Sequence, residues 1–173
     1  MKNSNGIIEV YHAGTEVIQS PDCKFGRKDL DFGHGFYITD IYDQAINFAH
    51  ARAKDRKMSA IINVYLLDKD SIIREARSLI FDSYNDEWLD FIVACRSGKE
   101  VWRDYDYIEG GVADDRVINT VNLFMQGVLS KSEALRRLHY MKPNNQICIL
   151  NQDLLNKHLQ FTNSLTLSKD GSL

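Results

Sequence analysis

A chain of 173 residues, 44% apolar and 26% charged, has the material for one domain with a buried core. A formal net charge of −3 and a pI near 5.9 exclude the basic surplus of a general nucleic-acid binder. The cysteines Cys23, Cys95 and Cys148 are far apart and form no Cys-x-x-Cys pair, so neither zinc spacing nor a disulfide framework is expected. The opening MKNSNGIIEVYH lacks the apolar run of a signal peptide, and no segment approaches the ~20 apolar residues that span a bilayer. The expectation is a reduced, cytoplasmic protein with no membrane partner and no metal.

Ile7–His12 (IIEVYH) is β-branched and predicts a first strand ending in the turn residues AGT. Residues 13–34 then carry loop signals, and a loop of that length inside a small domain is more often functional than merely connecting. Gly35–Thr39 (GFYIT) predicts a second strand, after which Asp40 or Asp43 could cap a helix over QAINFAHARAKDR. That helix spaces Ala45, Phe48, Ala49 and Arg52 by three and four, and its small face suits close packing on a sheet. Ala60–Leu67 (AIINVYLL) is apolar nearly throughout and predicts a central strand.

Ser78–Asp82 predicts a short strand. NDEWLDFIVACRSG predicts an amphipathic helix capped by Asn85 or Asp86, ended by Gly98, with Trp88 and Phe91 in the core. DYDYIEGG predicts a strand closing on glycines. A helix over VADDRVINTVNLFMQG follows, then a second whose Ser130 and Glu133 have capping-box spacing. Pro143 and Asn144 break the chain before the strand Gln146–Leu150 and a short helix over NQDLLNKHL. The polar stretch 162–173 predicts a flexible tail. Strict βαβ alternation is missing, so the fold class expected is α+β, in one domain over 1–173.

Phosphate-loop, GxSxG, HExxH and GxGxxG motifs are all absent. Two stretches stand out instead: YHAGT (Tyr11–Thr15) and DFGHGFYITD (Asp31–Asp40). On neighbouring strands they would set an imidazole, a tyrosine ring, small residues and hydroxyls around one cleft, which suits a flat heteroaromatic ligand. Tyr37 could stack on it, glycines would let backbone groups approach a carboxamide, and histidine and threonine can bond ribose hydroxyls. The plainer reading makes Gly33 and Gly35 turn glycines with positive φ, His12 a structural histidine and VADD a helix start.

FGHGFYITDIYDQAINFAH (Phe32–His50) resembles the second NAD-binding motif of the poly(ADP-ribose) polymerase branch of the ADP-ribosyltransferases, a Gly-x-Gly-aromatic-Tyr strand followed by a helix with a small residue, here Ala45. YHAGT is similar to that branch's first motif, His-Gly-Ser/Thr, and PNNQICIL to its third, a strand that begins with glutamate. Over residues 8–161 the chain also resembles an uncharacterised bacterial family grouped with these transferases, marked by a YHG-type start, PD, DFGxGFY and the GxVADD segment at Gly110–Asp115.

The resemblance implies a split mixed β-sheet flanked by helices, with NAD as substrate. His12 would bond the adenosine-side ribose. The backbone near Ala13 and Gly14 would hold the nicotinamide carboxamide, in a binding set that includes Thr15, Gly35 and Phe36. Tyr37 would stack on nicotinamide, with Thr39 assisting. Ala13 stands where the motif has glycine, and Gln146 where the branch has its catalytic glutamate, so Asp115, Asp114 or Glu109 could carry the missing charge. Arg27 and Lys28 could steer a diphosphate.

The function so implied is ADP-ribosyl transfer to a protein or nucleic-acid acceptor, in the setting of a bacterial toxin component with a cognate antitoxin. The alternative is a weak or inactive module that binds NAD, ADP-ribose or a protein segment. The Glu-x-Glu turn of the arginine-specific branch is absent.

Overall fold

The computed structural model describes residues 6–26, 30–141 and 144–168; Pro143 and the end of the expected tail, 169–173, lie outside them. Strand β1 (Ile7–Gly14) runs two residues past the expected His12. Its partner accounts for the extension: β3 (Ala60–Asp68) pairs antiparallel along its whole length, from Ile7 opposite Asp68 to Gly14 opposite Ile61. A third strand, β7 (Leu159–Leu167), covers the other edge of β3, which is therefore central, as its apolar run predicts. Both faces of β3 are buried over most of its length, with Leu66 exposed. Ala60, Ile62 and Val64 pack with Ala45, Ala49 and Ala53 of helix α1 (Tyr42–Arg56), while Tyr65 and Leu67 join a core with Val10, Phe36 and Ile149.

β7 corrects the expectation of a flexible tail from residue 162. Gln160, Thr162, Asn163, Ser164 and Thr166 make the stretch look solvated, yet it supplies a full ladder to β3. A bulge at Thr162 shifts the register between Val64 and Tyr65. The shift turns Leu159 and Phe161 to one face, opposite Leu67 and Tyr65, and Leu165 and Leu167 to the other, opposite Ile62 and Ala60.

A second sheet has the order β2 (Phe36–Ile38), β6 (Gln146–Ile149), β5 (Tyr107–Gly110), β4 (Ser78–Ile80), with only β4 and β5 parallel. The approach of β2 to β6 explains Gly35, which is not a positive-φ turn residue. A Cβ there would lie 2.6 Å from Cys148 Sγ and 2.7 Å from Ile149 O. Gly33 does hold φ +83°, and a side chain there would collide with Trp102. One isolated backbone bridge joins the two sheets: Tyr11 and Thr39 exchange both hydrogen bonds, at 2.8 and 2.9 Å.

The remaining helices are α2 (Lys69–Glu75), α3 (Asp86–Arg96), α4 (Asp115–Met125), α5 (Lys131–Leu138) and α6 (Gln152–His158). Asn85 caps α3, which buries Trp88 and half-buries Phe91, and Ser130 and Glu133 form the expected capping box. The cap of α1 differs from expectation. Ile41 occupies that position, and its N–H donates to Thr39 Oγ1 at 3.1 Å; Asp40 instead accepts from Asn145. The protein is thus mixed α+β, with two sheets and six α-helices among the described residues. No described helix is long and apolar enough to cross a membrane.

Candidate functional site

The edge of β1 away from β3 carries the site. Along an antiparallel strand, backbone N–H and C=O groups point to alternate edges. Those of Tyr11 bond Thr39, so those of Ala13, two residues on, point to the same side, away from β3. Beyond the Tyr11–Thr39 contact this edge borders a cavity of about 210 Å³, into which Ala13, His12, Tyr37, Thr39 and Gln146 all reach. His12, Leu30, Tyr37 and Arg52 also line a larger chamber of about 630 Å³, under the loop that follows β1. Gly14, Thr15, Gly35 and Phe36 belong to that chamber. The larger volume lies in the range of small-molecule sites, roughly 300–1,000 Å³.

The aromatic alternation of β2 sorts its two rings. Phe36 is buried in the core, 4.7 Å from the His12 ring and nearly parallel to it. Tyr37 lies on the opposite face of the strand, and its side chain reaches both cavities, whereas Phe36 touches only the larger one. Its hydroxyl donates to Gly33 O at 2.7 Å and accepts from Phe32 N–H at 3.1 Å, so the ring is anchored by the DFG turn. Burial holds the phenol far above its ordinary pKa.

His12 Nδ1 lies 2.7 Å from Tyr37 O. A carbonyl only accepts, so Nδ1 carries the hydrogen and Nε2 is left as an acceptor. Burial, aided by the nearby Arg52 charge, lowers the His12 pKa to about 4 against the opposing Tyr37 hydrogen bond. The ring is neutral at physiological pH.

Thr39 is committed to the scaffold. Its hydroxyl donates to Asn145 O at 2.8 Å and accepts from Ile41 N–H. Gln44 also grips Asn145, and the segment before Gln146 is held from both sides.

Two of the three carboxylates the sequence suggested, Asp114 and Glu109, are occupied elsewhere. Asp114 caps α4 and accepts from Asn144 Nδ2. Glu109 is taken by Lys69 at 2.7 Å, the Tyr107 hydroxyl at 2.7 Å and Asn145 at 3.0 Å. Asp115 opens α4, and its side chain lies outside what is described, as do Arg27 and Lys28.

One carboxylate that sequence reasoning passed over does line the small cavity: Asp31, the first residue of DFGHGFYITD. It is buried. Oδ1 accepts from the Arg96 guanidinium, with Nε at 2.9 Å, and Oδ2 accepts from Ala113 N–H at 3.0 Å and Gln146 Nε2 at 3.3 Å. Its place at the head of the block was the available signal; Arg96 read only as a basic helix end.

Burial raises all three thiols: Cys23 to about 11, Cys95 to about 12, and Cys148 well above its ordinary value. None is a nucleophile at neutral pH. Among the described residues no group of three His, Cys, Asp or Glu side chains could hold a metal ion.

Fold and site together define an α+β protein with a two-chambered cleft at the junction of two sheets. The chain belongs to a family described as proteins of unknown function (DUF3990), whose model matches residues 8–161. No curated protein and no solved structure matches it.

Proposed function

We propose that the cleft binds NAD and that the protein is an ADP-ribosyltransferase-like enzyme, with a fold of that type, which releases nicotinamide and passes ADP-ribose to a macromolecular acceptor. The observation that carries this reading is the convergence on one small cavity of the outward backbone edge at Ala13, the Tyr37 ring and the Gln146 amide. A strand edge offering N–H and C=O together is complementary to a carboxamide, and the ring beside it can stack on the pyridine. The neutral His12, an acceptor through Nε2, would take a ribose hydroxyl, and the larger chamber would hold the adenosine half. In a toxin component, a neutralising partner would cover this cleft.

A second reading is favoured by one specific observation. Asp31 is the one carboxylate among the described residues lining the small cavity, and its oxygens are already engaged. Without free charge to stabilise the cation left as nicotinamide departs, the site would bind the dinucleotide and turn it over slowly or not at all. Incubating purified protein with NAD and measuring free nicotinamide separates the two. Release that disappears in Tyr37→Ala supports the enzyme. Calorimetric binding without release supports the binding module. Release at an unchanged rate in Tyr37→Ala removes the assigned site.

A further inference from the structure

We infer that Asp31 is a positioning residue that fixes the Gln146 amide with its oxygen toward the cavity, and that it is the reason position 146 carries an amide. The inference rests on the reading that this cavity is the reaction site, but its physical core stands without NAD. Asp31 is paired with the Arg96 guanidinium, and a carboxylate can only accept hydrogen bonds. The group facing it from position 146 must therefore donate. An amide turns its NH2 to Asp31 and leaves Oε1 for the cavity, so the two ends of Gln146 are not interchangeable.

Four separate stretches of chain build this arrangement: the loop before β2 supplies Asp31, the end of α3 Arg96, the turn before α4 Ala113 N–H, and the start of β6 Gln146. The negative charge of Asp31 is then met at the cavity wall by Arg96 and by the NH2 of Gln146. A glutamate at 146 would place a second carboxylate against Asp31, and the pair would hold a shared proton. The other titratable groups that reach this cavity are Arg96 from α3, Arg52 from α1, His12 from β1, Tyr11 from β1 and Tyr37 from β2, and Asp31 also feels Tyr84, just before α3, and Cys95 of α3. Glu109 engages the neighbouring Asn145.

The test is a carboxyl titration by NMR. In Gln146→Glu the two facing carboxyls are expected to retain a shared proton about two pH units above the ordinary carboxylate range. When Asp31→Asn is added to Gln146→Glu, that proton is expected to leave within the ordinary range. A normal titration in the single variant overturns the inference, and so does a raised value that persists in the double variant, because burial alone would then be the cause. The wild-type chain gives an independent readout should either variant fail to fold: the Gln146 side-chain NH2 resonances must move as Asp31 takes up its proton. Resonances that stay still through that titration also overturn it. None of these measurements uses NAD, so a failure here is distinct from a failure to release nicotinamide. Under the enzyme reading, Gln146→Glu has lower nicotinamide release than wild type below the titration of the pair, where the shared proton fills the acceptor.

Discussion

The two chambers of the cleft share His12 and Tyr37 but are built differently. In the small one three side chains of the wall are held by partners within the protein: Asp31 by Arg96, Ala113 and Gln146, Thr39 by Asn145 and Ile41, and the Tyr37 hydroxyl by the DFG turn. The large one is walled by the loop after β1, where Phe25 is 90% exposed and Val17 49% exposed. A chamber whose groups are fixed before a ligand arrives presents one geometry, as chemistry or strict recognition requires. A chamber edged by uncovered apolar side chains gains from any flat ligand that covers them. The discriminating end of the site is therefore the small chamber, whose wall side chains are already paired.

Mutations should separate the chambers by their cost. The largest effect is expected from Asp31→Ala, which strands Arg96 and unties the Gln146 amide. A broken buried ion pair costs roughly 3–5 kcal/mol, and the partial exposure of Arg96 favours the lower end. Urea unfolding measures it; a loss below about 1 kcal/mol would mean that the small chamber is not held from Asp31. Next comes His12. Its folded pKa is about 4 against an ordinary 6.5, so between these values the unfolded chain binds a proton that the folded chain refuses. This contribution to stability is full above pH 6.5 and is lost as pH falls toward 4, by roughly 3 kcal/mol in all. His12→Phe, which keeps a ring on Phe36, should show a shallower fall across that window, and parallel slopes would contradict the burial argument. The smallest stability effect is expected from Phe25→Ala, within about 0.5 kcal/mol of wild type because the ring packs on so little. The same variant should weaken dinucleotide binding by roughly 1–3 kcal/mol if Phe25 stacks on the base. Unchanged affinity would leave the large chamber without its proposed contact.

Most elements were legible because their determinants are local. The apolar run of Ala60–Leu67, the Asn85 cap and the Ser130–Glu133 box each declare themselves within a few residues. What escaped depends on distant partners. β7 is polar in sequence and is a strand only because β3 has an edge to pair, and α2 is a single short helix, capped by Asp68, with too few turns to show a period. Gly35 read as a turn residue because the Cys148 sulfur it must accommodate lies far along the chain. The site divides the same way. The split between Phe36 and Tyr37 follows from strand alternation, but the pairing of Asp31 with Gln146 joins residues that no spacing rule connects.

The outward edge of β1 at Ala13 is the proposed seat of the NAD carboxamide. It is tested most directly by titrating NAD into isotope-labelled protein and following the Ala13 amide and the Tyr37 ring by NMR. The expected result is saturable movement of both, reproduced at the Ala13 amide by nicotinamide alone. Saturable NAD binding that leaves both signals in place would contradict the account.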